Sequence, residues 1–200
     1  MQKTLGIMTG VFNPPHNFHL KIAIEILKNN PNIEKIIFVP TNNNYKKDDV
    51  VDSEHRYNML KLICDKNNNL EVSRFEIDKS TQPYSIDTLD YFYLQYPNYN
   101  ISLIIGSDNL KTFDKWHDYQ NILLKYSPII FERDNDELNE IIQNTPFLKE
   151  YKNCINNSNC NITSNLSSTK IRNLIRNNLP ISEYVPSEIE NYIKDNKLYF

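Results

Sequence analysis

The sequence predicts a doubly wound α/β fold, a parallel sheet covered by helices on both faces, built as one domain over residues 1–200 with a C-terminal helical part from about 166. Three observations carry this. Short apolar runs alternate with longer segments whose apolar residues recur at helical spacing. The runs are mostly apolar throughout rather than at every second residue, as in strands buried on both faces. The 200 residues, 40% of them hydrophobic, suffice for one core, and no fixed-period repeat or long linker marks a second domain.

Leu5 to Met8 is the first strand, stopping at Thr9-Gly10. Leu20, Ile22, Ala23, Ile24, Ile26 and Leu27 then form one face of a helix ending near Asn29-Asn30-Pro31. Ile36 to Pro40 is the second strand, and Ser53 caps a helix carrying Tyr57, Leu60, Ile63 and Cys64. Leu70 to Phe75 alternates as a third strand. Ser85 caps a helix with Asp87 in its first turn, running to Tyr96-Pro97. Ile101 to Ile105 is the fourth strand, leading into Gly106, and Pro128 to Phe131 the fifth. A helix from Asn135 to about Gln143, a weak last strand over Asn161 to Ser164, and two helices, Ser168 to Asn177 and Pro186 to Asn196, complete the chain. In such a sheet ligands bind beyond the carboxyl ends of the strands at the switch point, so chemistry is expected in the loops after strands one and four.

Composition excludes several classes. The 22 Lys+Arg against 25 Asp+Glu give a net charge of −3, so no global positive field gathers nucleic acid or anionic membrane. No uninterrupted hydrophobic run exceeds four residues, against the ~20 that span a bilayer. The N-terminus lacks the features of a signal peptide, and Cys64, Cys154 and Cys160 show no CxxC spacing, so a cytoplasmic protein with reduced thiols is expected. Glycine occurs three times, where average usage of ~7% gives about fourteen. With 30 asparagines present, Asn is expected to take over left-handed loop positions, leaving Gly6, Gly10 and Gly106 where a Cβ would collide.

The first loop reads Gly10-Val11-Phe12-Asn13-Pro14-Pro15-His16-Asn17-Phe18-His19. Two of the four histidines stand three apart at the start of a helix, about 4.5 Å apart along its axis, and both rings can converge on an anion beside the positive end of the dipole. Alone, such a pair is more often chance or a helix cap, and a zinc site of the HExxH kind is excluded by Asn17 and Phe18. Near the other end, Leu166-Ser167-Ser168-Thr169-Lys170-Ile171-Arg172 sets hydroxyls at a helix start and a guanidinium one turn in. By itself it reads equally as a plain N-cap with a solvated Arg.

Together the two segments resemble the GxFxPxHxxH and ISSTxxR motifs of the HxGH nucleotidylyltransferase superfamily, with Phe18 where that family has glycine and Leu166 for Ile. Several further segments look like parts of nicotinate/nicotinamide mononucleotide adenylyltransferases. They are Pro40-Thr41 with Tyr45-Lys46-Lys47, His55 to Leu60, Pro83 to Leu89, Gly106-Ser107-Asp108 and Lys115-Trp116. The resemblance covers essentially the whole chain. It implies adenylyl transfer from ATP to nicotinate mononucleotide, with His16, His19 and Arg172 as catalytic residues. Gly10, Phe12, Lys46, Lys47, Gly106, Asp108, Ser168 and Thr169 would hold ATP, and Tyr84, Ser85, Thr88 and Trp116 the pyridine nucleotide. Mg²⁺ is expected to ride on ATP rather than on a protein carboxylate cluster. The rivals are nicotinamide mononucleotide as the preferred or equal substrate, pantetheine-phosphate adenylyltransferase, and an inactive nucleotide-binding regulator with Phe18 as the lesion. Expected partners are small molecules alone, without nucleic acid or membrane; oligomeric state is left open.

Overall fold

The computed structural model describes residues 2–45, 49–133, 136–161 and 166–200. In chain order these form β1 (Thr4–Gly10), α1 (Asn17–Asn29), β2 (Ile33–Pro40), α2 (Ser53–Cys64), β3 (Leu70–Val72), α3 (Ser85–Gln95), β4 (Asn100–Gly106) and α4 (Ser107–Leu110). Then come α5 (Tyr119–Tyr126), β5 (Ile129–Glu132), α6 (Leu138–Asn144), α7 (Pro146–Glu150), β6 (Asn156–Asn161), α8 (Ser168–Arg176) and α9 (Ser187–Asp195). Among the described residues the sheet has six strands in the order β3-β2-β1-β4-β5-β6, every pair parallel. The switch point therefore lies between β1 and β4. Their ladder ends at the pair Ile7 and Leu103, although β1 continues to Gly10 and β4 to Gly106. The two carboxyl ends separate there and leave a crevice.

Alternate strand residues feed two cores. Met8, Ile36, Phe38, Ile104 and Ile129 face α1, α2, α8 and α9, while Ile7, Ile37, Val39, Leu103, Ile105 and Ile130 face α3, α5 and α6. Helix α1 forms because Phe18, Ile22, Ala23 and Ile26 make one buried stripe, and no helix among the described residues is long and apolar enough to cross a membrane.

Several boundaries differ from the sequence expectation. Asp52, not Ser53, caps α2, accepting from the Glu54 N–H at 2.8 Å, and Tyr84, not Ser85, occupies the cap of α3. Strand β3 stops at Val72, and the Phe75 ring turns away to stack on Tyr91 with centroids 4.0 Å apart. The last strand is Asn156–Asn161; residues 162–165 and Asn135 lie outside the described residues. Helix α6 begins at Leu138, and α5, which supplies the crossover between β4 and β5, has no counterpart in the expected elements.

Arg56 lies wholly buried beneath the crevice. Its Nε donates to Val51 O (3.0 Å), Nη1 to Val11 O (2.9 Å) and Nη2 to Thr41 O (2.7 Å), which joins the loops after β1 and β2 to the start of α2. Burial lowers its pKa, yet its charge is spread over carbonyl dipoles. Replacing it by a group of similar length but no donors strands three buried carbonyls, each worth about 1–3 kcal/mol. Arg56→Met is accordingly expected to lose at least about 3 kcal/mol of unfolding free energy in urea titration; a loss under about 1 kcal/mol would show the carbonyls find other donors.

Candidate active site

The crevice holds two adjoining cavities. The first, about 340 Å³, is lined by Gly10, His16, Phe18, His19, Gly106, Arg133, Ser168, Thr169 and Arg172 among others. The second, about 580 Å³, is lined by Thr41, Tyr45, Glu76, Gln82, Tyr84, Ser85, Lys115 and His117. Thr9, Gly10, Val11, Asn109 and Trp116 border both. Two ligands in these cavities would meet over the carboxyl end of β1.

His16 is the N-cap residue of α1 and His19 its third residue. Their rings stack with centroids 3.7 Å apart and planes at 18°, and the His16 backbone N–H donates to His19 Nδ1 at 3.2 Å. That bond leaves a neutral His19 with its proton on Nε2, free to donate to an anion. Phe12, held in left-handed backbone with φ 50, sets its ring edge-on beneath His19 at 5.0 Å. Burial, with the charge of Arg133, lowers the His16 pKa to about 4; burial, His16 and Arg133 hold His19 well below its ordinary value. His16 Nδ1 is buried and has no hydrogen-bond partner among the described residues.

At the start of α8 the Ser167 hydroxyl accepts from the Lys170 N–H, and Ser168 Oγ donates to Pro14 O at 2.9 Å, docking the second motif onto the first loop. Arg172 donates from Nη1 to Asn13 O (2.9 Å) and from Nε to Asp49 Oδ2 (3.0 Å), and its Nη2 lies 3.4 Å from Thr169 Oγ1. Asp49 also pairs with Arg176, and the two guanidiniums hold its carboxyl below the usual range.

The opposite wall is Arg133, at the end of β5. It lies 3.5 Å from Asp108 through Nη1, its guanidinium carbon is 5.9 Å from the Phe18 ring centre, and its Nε is buried without a partner among the described residues. A Cβ on Gly106 would come within 2.4 Å of Asp108 Oδ1 and 3.0 Å of Arg133 Cδ, so a side chain here would displace the Asp108–Arg133 pair. Phe18 fills the position that the motif gives to glycine, buried in the α1-side core with its ring on the cavity wall.

In the second cavity the Tyr84 ring stacks on His117 at 4.2 Å, and Trp116 leans on Phe113 at 4.8 Å. The Asp87 carboxylate accepts from the Tyr84 N–H at 2.9 Å, fixing the entry to α3. Thr88 points the other way: fully buried, its hydroxyl donates to Glu76 at 2.7 Å. Lys46 and Lys47 lie outside the described residues.

Known proteins resemble this chain in sequence and fold. The cytidylyltransferase-like family model matches residues 7–174. Relatives named "probable nicotinate-nucleotide adenylyltransferase" include one from Clostridium tetani, 30% identical over 98% of this chain and 99% of its own, and one from Caldicellulosiruptor bescii, 34% identical over 98% of each. The chain belongs to this family. Its fold is shared by the Plasmodium falciparum nicotinic acid mononucleotide adenylyltransferase solved with NaAD, at TM-score 0.77 and 20% identity, covering 98% of this chain and 97% of that one. The same parasite protein solved with APC gives a TM-score of 0.75.

The structure brings His16, His19, Ser168, Thr169, Arg172, Gly106 and Trp116 to one crevice, with Tyr84 and Ser85 across the shared wall. Sequence reasoning missed Asn13, Asp49, Glu76 and Arg133; of these only Arg133, a cation closing an apolar strand, carries a local signal.

A depressed histidine pKa is directly visible. In ligand-free protein the His16 ring resonances should titrate with a midpoint near 4 and show no inflection near 6.5. A midpoint at or above 6.5 by NMR would mean that the burial and the Arg133 charge act differently from the geometry described.

Proposed function

We propose that this protein transfers the adenylyl group of ATP to nicotinate mononucleotide, giving the deamido dinucleotide precursor of NAD and pyrophosphate, with ATP in the first cavity and the mononucleotide in the second. The observation that carries this reading is the stacked His16–His19 pair at the border of two cavities that open side by side at the end of β1. The names of the full-length relatives support the acid as substrate.

The attacking group is a phosphate oxygen of the mononucleotide, already ionised, so no general base is required. It bonds to the α-phosphorus of ATP while the bond to the β-phosphate oxygen breaks, and that oxygen leaves with the electron pair as part of pyrophosphate. Catalysis is alignment and stabilisation of the charge moving toward the leaving group. His19 Nε2–H, His16, Arg133 and Arg172 all line the first cavity and supply donors to it. Both carboxylates nearby, Asp49 and Asp108, are already ion-paired, which suits a Mg²⁺ carried by the triphosphate. That ion would offset phosphate charge. The fully buried Thr88 hydroxyl belongs to the support of α3 rather than to ligand contact. Three free cysteines agree with a cytoplasmic setting, and the balanced charge with small-molecule partners.

His16→Ala and His19→Ala should each fold and lose about 10²–10³ in kcat, the typical effect of removing one preorganised donor. Pyrophosphate release from Mg-ATP and nicotinate mononucleotide measures it; activity near wild type in either variant would remove that histidine from the mechanism. Selectivity is a separate test. The start of α3 turns free backbone N–H groups and the positive dipole end toward the second cavity, which favours a carboxylate over a carboxamide. Two charge-assisted bonds in place of neutral ones give about 30-fold or more in kcat/KM for the acid over the amide near pH 6.5. A ratio near one would refute acid selectivity while leaving adenylyl transfer intact.

A further inference from the structure

Glu76 is a buried carboxyl group that the transfer chemistry does not use. It follows β3, is 2% exposed, and lines the second cavity beside Gln82, Tyr84 and Ser85. Its oxygens meet neutral donors: Oε2 accepts from Gln82 Nε2 at 2.6 Å and Oε1 from Thr88 Oγ1 at 2.7 Å. The cationic charge that reaches it comes from Arg56 on α2, whose donors are committed to Val51, Val11 and Thr41 carbonyls. Gln82 in turn accepts the Asn42 N–H at 2.9 Å, so the group is anchored to the loop after β2 and to the first turn of α3.

We infer that Glu76 is a specificity-determining residue of the mononucleotide cavity, whose buried carboxylate opposes a pyridine carboxylate and so limits the preference for the acid over the amide. The inference rests on the mononucleotide occupying the second cavity. Nicotinate and nicotinamide mononucleotides share the ribose, the phosphate and the pyridinium cation, and they differ by one negative charge on the ring. A fixed anion in the wall, excluded from water, acts on that one difference. The N–H groups at the start of α3 favour the added charge and Glu76 disfavours it, so selectivity is set by two opposed fields on the same ring substituent.

The opposition depends on pH. Burial pushes the Glu76 carboxyl up to about 7, its bonds from Gln82 and Thr88 and the charge of Arg56 pulling the other way. Below that value the group is neutral and the acid is not repelled; above it the carboxylate is charged. Among the described residues the other titratable groups of the cavity are Tyr45 beyond β2, Tyr84 at the start of α3, and Lys115 and His117 after β4. Phosphate titration of the two substrates is common to both and cancels in their ratio.

The test is the ratio of kcat/KM for nicotinate over nicotinamide mononucleotide, under identical Mg-ATP, from pH 6 to pH 8.5. In wild type the ratio should fall about 3- to 10-fold as pH rises through 7, the size of a charge–charge effect at partly screened dielectric. In Glu76→Gln it should be flat and, at pH 8, higher than wild type by the same factor. Glu76→Asp keeps the charge and should keep a falling ratio even where its activity drops. A pH-independent ratio in wild type overturns the inference without requiring any variant to fold. An E76Q enzyme that loses activity equally toward both substrates would make Glu76 a support for the 82–85 turn and nothing more. Absence of transfer to either mononucleotide would refute the proposed function instead, which keeps the two failures apart.

Discussion

Asn13, through its side chain and its backbone carbonyl, ties three separate pieces of chain to the end of β1. Its Nδ2 donates to Asp49 O at 2.7 Å, its Oδ1 accepts from the Val51 N–H at 3.2 Å and from the Tyr199 hydroxyl at 2.9 Å, and its backbone carbonyl accepts from Arg172 at 2.9 Å. Residues distant in sequence, from the first loop to the next-to-last residue, thereby share one polar cluster in which Asn13, Tyr199 and Arg172 are buried. A buried amide bonded through both its oxygen and its nitrogen is costly to disturb, because a partner withdrawn leaves a stranded group. The first loop is therefore positioned by its surroundings, and the histidines that follow it inherit that position. Burial raises the Tyr199 hydroxyl's pKa, which keeps it a neutral donor to this cluster.

The charge of the site follows from the same geometry. With both imidazoles held low, the ligand-free histidines are neutral at physiological pH, and the permanent positive charge of the first cavity belongs to Arg133 and Arg172. Each guanidinium has a carboxylate beside it, Asp108 and Asp49, so the cavity is not strongly cationic even locally. An arriving polyanion raises the affinity of both imidazoles for protons, since opposite charge favours the charged form. Donors that gain charge as negative charge builds on the leaving group favour the transition state over the ground state, which is the requirement for raising kcat.

The crevice was legible because its parts are local: an apolar run ending at Gly10, a helix stripe beginning just after His19, and a hydroxyl-rich start to α8. Other parts depend on contacts far apart in sequence and leave no local mark. Helix α5 begins behind Asp118, whose φ of 53 and lack of a side-chain cap give no start signal, although Ile122, Leu123 and Tyr126 are buried. Strand β6 reads Asn-Asn-Ser-Asn-Cys-Asn, with no apolar pattern, because it is an edge strand paired only to β5. Ser53 and Ser85 each precede a helical stripe, yet the cap falls one residue earlier at Asp52 and Tyr84, because the Asp52 carboxylate and the Asp87 carboxylate reach the free N–H groups first. Phe18 shows the limit of a motif: the departure from glycine is plain in the sequence, but that its ring would join the α1-side core beneath Arg133 is a fact of packing.

Asparagine's abundance has a different use from the one its backbone tolerance suggests. Of the non-glycine residues with positive φ, Asn159 and Asn178 are asparagines, while Phe12, Asp49, Asp118, Ser127, Lys197 and Tyr199 are not, and no glycine has positive φ. The three glycines instead serve close approach: a Cβ on Gly6 would lie 2.5 Å from Ile104 Cδ1, and one on Gly10 3.0 Å from the Phe12 ring. Meanwhile Asn30, Asn67, Asn177 and Asn196 each donate a side-chain amide to the carbonyl four residues back, at Ile26, Ile63, Asn173 and Tyr192. Those carbonyls lie in the last turns of α1, α2, α8 and α9 and each also accepts a backbone N–H, so the amide adds a second donor where carbonyls outnumber helical N–H groups. A glycine in left-handed backbone meets that need by bending the chain back on itself. In α8 and α9 a left-handed residue does follow the cap, Asn178 with φ 54 and Lys197 with φ 50, and the Asn side chains work beside it rather than in its place. A chain short of glycine can thus end its helices without one, and its few glycines stand where neighbouring side chains approach closely, two of them on the walls of the crevice.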